Sequence, residues 1–162
     1  MIECNLGVQM EIRELNKEDL NNAVVAFGQK IVKFDMLKFG ENCFNLGAFD
    51  EGRLVAIITT EPRKLIKPLD AYTDLFIDYI EVLKPYQNQG LATKLISLAE
   101  DFGRKQGFFQ ITGWSDDGTV EMNHLALKLK YTMCQALMYD ENYLPEELGK
   151  SIKGYYYGKR LD

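Results

Sequence analysis

The sequence predicts an α/β domain built on a mixed sheet. Runs with a two-residue apolar period alternate with runs of helical period along the chain. Glycine, proline and Asp/Asn punctuate these runs where an alternation of strands and helices needs turns. Hydrophobic residues make up 46% and charged residues 27%, the balance of a packed core and not of a disordered chain. The 162 residues suit one core, so a single domain over 1–162 is expected.

Val8 to Leu15 alternates apolar and polar residues as a half-buried strand does. Asn16 can cap the helix that follows, and Glu18 and Asp19 suit its positive end. Leu20, Val24, Phe27, Ile31 and Phe34 form a helical stripe, which extends this helix to about Lys38. Cys43 to Phe49 and Leu54 to Thr60 read as strands, with Asp50-Glu51-Gly52-Arg53 as the hairpin turn between them. Glu61 to Asp70 holds Pro62 and Pro68 and reads as a loop. Thr73 to Leu83 is rich in Ile, Val, Phe and Tyr and reads as a strand.

Gly90 to Gln106 is an amphipathic helix with Leu91, Leu95, Leu98, Ala99 and Phe102 inward, stopped by Gly107. Phe108 to Gly113 is the next strand, Val120 to Leu129 a shorter helix and Tyr131 to Tyr139 a strand. Leu144 to Lys150 reads as one helical turn and Ile152 to Leu161 as the last strand, in which Tyr155, Tyr156 and Tyr157 alternate faces. The order is β-α-β-β-β-α-β-α-β-β.

The composition excludes several functions. A net charge of −5 lacks the basic footprint of nucleic-acid binding and suits a cationic substrate better. Cys4, Cys43 and Cys134 are scattered and odd in number, which reads as reduced and mostly buried thiols of a cytoplasmic protein. With one histidine they offer no metal-ligand spacing, so no metal is expected. No window approaches the ~20 apolar residues of a membrane span, and the amino terminus does not read as a leader. His124, alone on a helix, is read as an exposed or capping residue, with a catalytic base as its alternative, and a Ser-His-Asp or Cys-His enzyme is not expected.

The informative stretch is Ile80-Glu81-Val82-Leu83-Lys84-Pro85-Tyr86-Gln87-Asn88-Gln89-Gly90-Leu91-Ala92-Thr93-Lys94-Leu95. A strand feeds a short loop that opens directly into a helix. The first amides of a helix lack internal partners, and with the dipole they make an anion site. Gly90 and Ala92 are small where a phosphate would approach the backbone, and Gln87, Asn88 and Gln89 carry side-chain donors. The reading is a phosphate or diphosphate cradle, with a plain strand-to-helix turn as its alternative. It is neither a P-loop, which needs Gly-Lys-Ser/Thr, nor a dinucleotide fingerprint, which needs three glycines.

At these residues the sequence resembles the GNAT N-acetyltransferase superfamily, whose signature loop is Gln/Arg-x-x-Gly-x-Gly/Ala. Gln87-Asn88-Gln89-Gly90-Leu91-Ala92 fits it at every defined place, and Val82 precedes Gln87 by the five residues usual for the family's strand valine. The element order fits as well. The resemblance implies a mostly antiparallel central sheet with helices on both faces and acetyl-CoA as cofactor. It implies a CoA site at Val82, Leu83, Gln87, Asn88, Gln89, Gly90, Leu91, Ala92 and Thr93, with the backbone of Val82 and Leu83 on the pantetheine arm. It also implies that the strand ending near Val82 splays from the next one, leaving a slot for that arm.

The chain departs from the family at the tyrosine that protonates the departing thiolate, within Tyr-Lys-Leu-Gly-Phe or a similar pattern. If Asn123 and Ala126 are the family's Asn-x-x-Ala, Lys130 stands there. If Leu127 to Tyr131 is the remnant of that pattern, which is the preferred register, Leu127 does. Tyr131, water or another segment is left to supply the proton.

Transfer to an amine also needs a base for the ammonium. Glu81 is the first choice, with Asp78, Asp116 and Asp117 behind it; a solvated surface carboxylate is the alternative for each. Trp114 either walls the acceptor site or packs, and Cys134, in an apolar strand, is expected to be buried. Lys150, Lys153, Lys159 and Arg160 read as a solvated rim or as partners of the CoA 3′-phosphate.

The expected activity is acetyl transfer from acetyl-CoA to a primary amine, a small molecule before a protein, by direct transfer in a ternary complex. The alternative is a weakly active or inactive CoA-binding module on the same fold. Neither nucleic acid nor membrane is expected as a partner, and the reading leaves room for a homodimer.

Overall fold

The computed structural model describes residues 10–138 and 152–162. Asn16 starts the first helical segment as its sequence suggests. Its Oδ1 accepts the Glu18 N–H and the Asp19 carboxylate accepts the Asn16 N–H, a reciprocal capping box. Arg13 grips Asp19 with two bonds of 2.8 Å. It holds that carboxyl well below its ordinary range, at about 2.

β1 (Glu11–Glu14) precedes this turn; α1 (Leu20–Phe27) and α2 (Lys30–Lys33) follow it. The single helix expected to about Lys38 is thus broken. Gly28 takes φ +91° after α1, a conformation that ends a helix and that glycine adopts without strain.

β2 (Phe44–Asp50), β3 (Arg53–Lys64) and β4 (Thr73–Val82) follow as antiparallel neighbours. The expected loop from Glu61 therefore starts only after Lys64. Pro62 is tolerated because β2 ends opposite Thr60, so β3 has no neighbour on that side to receive a missing N–H.

α3 (Leu91–Gln106) ends at Gly107, φ +75°. β5 (Gln110–Asp116), α4 (Val120–Lys128), β6 (Thr132–Met138) and β7 (Ile152–Arg160) complete the described elements. The expected turn at 144–150 and the strand residues Val8, Gln9 and Tyr139 lie outside the described residues.

Among the described residues the sheet has 7 strands in the order β1-β2-β3-β4-β5-β7-β6, of which only β4 and β5 run parallel. Helices cover both faces. Leu91, Leu95, Ile96 and Ala99 of α3 pack with Leu75, Ile77 and Ile111, while Ala23, Phe27 and Ile31 pack with Leu54 and Ile57 on the other side. No helix among the described residues is long and apolar enough to cross a membrane.

Candidate active site

The loop from Leu83 to Gly90 holds its own shape. A 3₁₀ turn spans Lys84–Tyr86, the Gln87 amide donates to Val82 O at 2.9 Å and the Gln89 amide to Pro85 O at 3.1 Å. Two of the three side chains read as donors for a phosphate are therefore spent on the loop itself. The backbone takes their place. Asn88 (φ +60°) and Gly90 (φ +83°) are left-handed, which curls the chain into a nest. Among the described residues no protein acceptor meets the N–H groups of Asn88 to Thr93. They stand at the positive end of a 16-residue helix, the arrangement that fits a diphosphate. A Cβ at Gly90 would meet nothing within 4 Å, so the glycine serves the backbone angle and keeps the cradle open.

A slot leads away from this cradle. β4 and β5 pair from Asp74↔Gln110 to Ile77↔Gly113 and no further. Beyond them β4 runs on to Val82 beside β3, and β5 runs on to Asp116 beside β7. Among the described residues the facing edges have no strand partner, and an extended ligand can bond to backbone there. Leu83 has the least to give to such a ligand. Its N–H reaches Val55 O at 2.9 Å and its C=O accepts Tyr86 N–H at 2.8 Å.

A β-bulge decides which side chains line the slot. Thr59 pairs with Tyr79 and Thr60 with Ile77, so Asp78 is an extra residue on β4. Before it Leu75 and Ile77 face α3; after it Ile80 and Val82 do. Asp78 and Tyr79 therefore fall consecutively on the α1–α2 side, followed by Glu81.

On that side the carboxylates are paired with cations. Lys30 Nζ lies 2.6 Å from Glu81 Oε2, and the Tyr79 hydroxyl donates to the same oxygen. Burial, reinforced by Glu81, pushes the Tyr79 phenol far above its ordinary range. Glu61 Oε2 accepts Lys38 Nζ at 2.7 Å and Oε1 accepts Arg63 at 2.7 Å; both cations stand 3.5 Å from Asp78. Burial raises the Asp78 carboxyl, and Lys38 offsets this only in part. Burial also acts on Glu61, but there Lys38 and Arg63 prevail and hold it low. Two neighbouring carboxyls are thus pushed apart by their surroundings.

The other expected site residues lie elsewhere. Tyr131 is 5% exposed, and its hydroxyl donates to Glu100 Oε1 at 3.0 Å, beside Lys159 and Arg104. Glu100 sits about 15 Å along α3 from Gly90, at 1.5 Å per residue. Lys159 belongs to this cluster and Arg160 pairs with Asp162. Asp116 caps its own turn through Gly118 N–H and the Thr119 hydroxyl, while Asp117 and His124 are exposed.

Cys134 is exposed and Cys43 half-buried, not the buried thiols expected; position 134 lies on edge strand β6. The Trp114 indole N–H is buried without a partner among the described residues, and a Cβ at Gly154 would run into its ring. Tyr157 is buried and Tyr156 exposed, as alternation requires.

Lys30, Lys38, Glu61 and Tyr79 were not singled out from sequence. Tyr79-Ile80-Glu81 did carry a signal, since residues i and i+2 of a strand share a face.

A profile of the acetyltransferase (GNAT) family matches residues 10–129. A GNAT-family acetyltransferase from Streptococcus pneumoniae is 20% identical, with TM-score 0.69 over 94% of this chain and 99% of that one. Arabidopsis thaliana NAA60 in complex with acetyl-CoA is 14% identical, with TM-score 0.74 over 94% and 99%. A ribosomal-protein-alanine N-acetyltransferase from Brucella melitensis is 13% identical, with TM-score 0.66 over 93% and 99%. No curated protein matches the sequence. The family profile covers most of the chain, and the split sheet and amide cradle are those its motif calls for: the chain belongs to the GNAT acetyltransferase family.

Proposed function

We propose that residues 1–162 act as one cytoplasmic acyltransferase domain that moves an acetyl group from acetyl-CoA to a primary amine, preferentially a small molecule. The observation that carries this is the row of unpartnered amides from Asn88 to Thr93 beside the mouth of the β4–β5 slot. Acetyl-CoA supplies the thioester. The amides hold its diphosphate and the strand edges hold the arm. Glu81 takes the proton from the acceptor's ammonium. Transfer is direct, within a ternary complex.

The experiment is thiol release from acetyl-CoA across polyamines, aminoglycosides, amino acids and lysine peptides. Release with at least one amine, with no thioester adduct on the protein by intact mass, is the expected result. A cysteine-linked acetyl group formed without acceptor contradicts direct transfer. If neither CoA nor acetyl-CoA shifts the melting curve, the reading fails; ligand at 100 times its Kd should add about 2.7 kcal/mol.

One observation favours a second reading, a CoA-binding module of low activity. α4 carries no tyrosine, and the nearby Tyr131 hydroxyl is committed to Glu100. CoA binding without thiol release across the whole panel distinguishes it.

A further inference from the structure

Glu81 does not lie open on its face of the sheet. Lys30, the first residue of α2, sets its Nζ 2.6 Å from Glu81 Oε2 and 5.2 Å from the centroid of the Tyr79 ring. Tyr79 in turn fixes that carboxylate oxygen with its hydroxyl. A carboxylate at proton-transfer distance, an aromatic face and a hydroxyl that orients the carboxylate are what a primary ammonium needs. We propose that the Lys30 ammonium stands where the acceptor's ammonium goes, so that α2 carries a built-in competitor for the acceptor subsite. The inference rests on Glu81 as the amine-binding carboxylate of the reading above. It narrows the acceptor to an unhindered primary alkylamine, a CH₂–NH₃⁺ end like that of lysine itself.

The contact is built to yield. The Lys30 and Glu81 side chains are 40% and 36% exposed, and an ion pair so solvated holds weakly. The Lys38–Glu61 pair is better buried, at 34% and 17%, so Lys30 is the lysine that gives way. α2 is four residues long, only Ile31 of it is buried, and Gly28 with φ +91° stands before it. Moving the Lys30 side chain aside leaves the core intact. It has four rotatable methylenes and need only turn toward solvent.

The test compares initial rates of thiol release for wild type, Lys30→Met, Lys30→Arg and Lys33→Met, against the concentration of the best amine of the panel. Lys33 is exposed on the same helix and serves as the control for a general loss of positive charge. Lys30→Met should lower the KM for amine roughly two- to five-fold with kcat retained, the range expected for removing one exposed ion pair. Lys30→Arg and Lys33→Met should leave the KM near wild type. A KM for Lys30→Met equal to or above wild type overturns the proposal, as does an equal fall with Lys33→Met. A loss of kcat in Lys30→Met also overturns it, since Lys30 would then be positioning Glu81 and not competing for it.

If no amine releases thiol, the functional reading fails but the inference can still be read. Binding of n-butylammonium to the CoA-loaded protein is then followed by the ¹³C shift of the Glu81 carboxyl. Tighter binding to Lys30→Met than to wild type supports the proposal, and equal binding overturns it.

Discussion

The Tyr86 hydroxyl donates to Asp50 Oδ2 at 2.6 Å, and this bond fastens the amide cradle to the β2–β3 hairpin. The other side-chain bonds of the loop, from Gln87 and Gln89, reach no farther than Val82 at the end of β4 and Pro85 in the loop itself. Asp50 raises the Tyr86 phenol by accepting its hydrogen bond, so the bond holds throughout the physiological range. Tyr86→Phe should weaken CoA binding roughly two- to five-fold, as expected for one solvated polar contact. The melting temperature of the unliganded protein should hardly move. Calorimetric titration of CoA, paired with a thermal melt, separates positioning of the loop from stability of the fold.

Gly90 is the residue on which the cradle turns. At φ +83° a side chain costs about 1–2 kcal/mol, although the space around it is empty. Gly90→Ala should therefore fold, with a melting temperature lower by a few degrees. It should lose CoA binding more than about ten-fold, because relief of the strain re-aims the amides. Wild-type affinity in a folded Gly90→Ala would place the cofactor elsewhere.

The Arg13–Asp19 pair gives a pH dependence whose sign follows from one shift. The Asp19 carboxyl sits at about 2 in the folded chain and near 3.8 when unfolded. The unfolded chain binds the extra proton between these values, so stability rises with pH there. The stabilisation, about 1–2 kcal/mol given a partly solvated Arg13, is complete above pH ~4 and lost as pH falls toward 2. Urea titrations from pH 2 to 5 should show this slope in wild type and a shallower one in Arg13→Met.

What the sequence disclosed was local. Asn16 and Asp19, Gly107, and Gln87 to Ala92 each act within a few residues of themselves, so one stretch of sequence contains both cause and effect. The bulge at Asp78 was hidden because it appears only when β4 is laid against β3. It reverses the face of every residue after it, which is why Glu81 could not be aimed from its alternation with Leu75 and Ile77. Pro62 reads as a loop residue in sequence because the absence of β2 beside it is a property of the sheet. Lys30 and Glu81 are 51 residues apart, and Tyr131 and Glu100 are 31; charge pairs at that distance leave no periodic trace.

Lys130 closes α4 in a left-handed turn. It takes φ +64°, its N–H returns to Leu127 O at 3.0 Å and the Tyr131 N–H returns to Ala126 O at 2.9 Å. This is a Schellman turn with lysine at the left-handed position, the glycine place in Tyr-Lys-Leu-Gly-Phe. Lys130→Gly should stabilise the protein by about 1 kcal/mol, since the left-handed strain on lysine is removed. For a chain of this size that raises the melting temperature by about 2–4 °C, read by calorimetry.

Tyr131 can be tested for the proton-donor role directly. Its hydroxyl is buried against Glu100, and burial, with that carboxylate behind it, holds the phenol far above its ordinary range. A group so placed keeps its proton and spends it on the Glu100–Lys159–Arg104 cluster. Tyr131→Phe should cost about 1.5–3 kcal/mol of stability, the worth of a bond to a charged group. Lys159 and Arg104 still pair Glu100 in that variant, so no buried charge is stranded. Under the proposed chemistry kcat should stay within about two-fold of wild type, because the loss lies in the fold and not in the slot. A fall of 10²-fold or more in kcat, with the melting temperature unchanged, would instead assign the thiolate's proton to Tyr131.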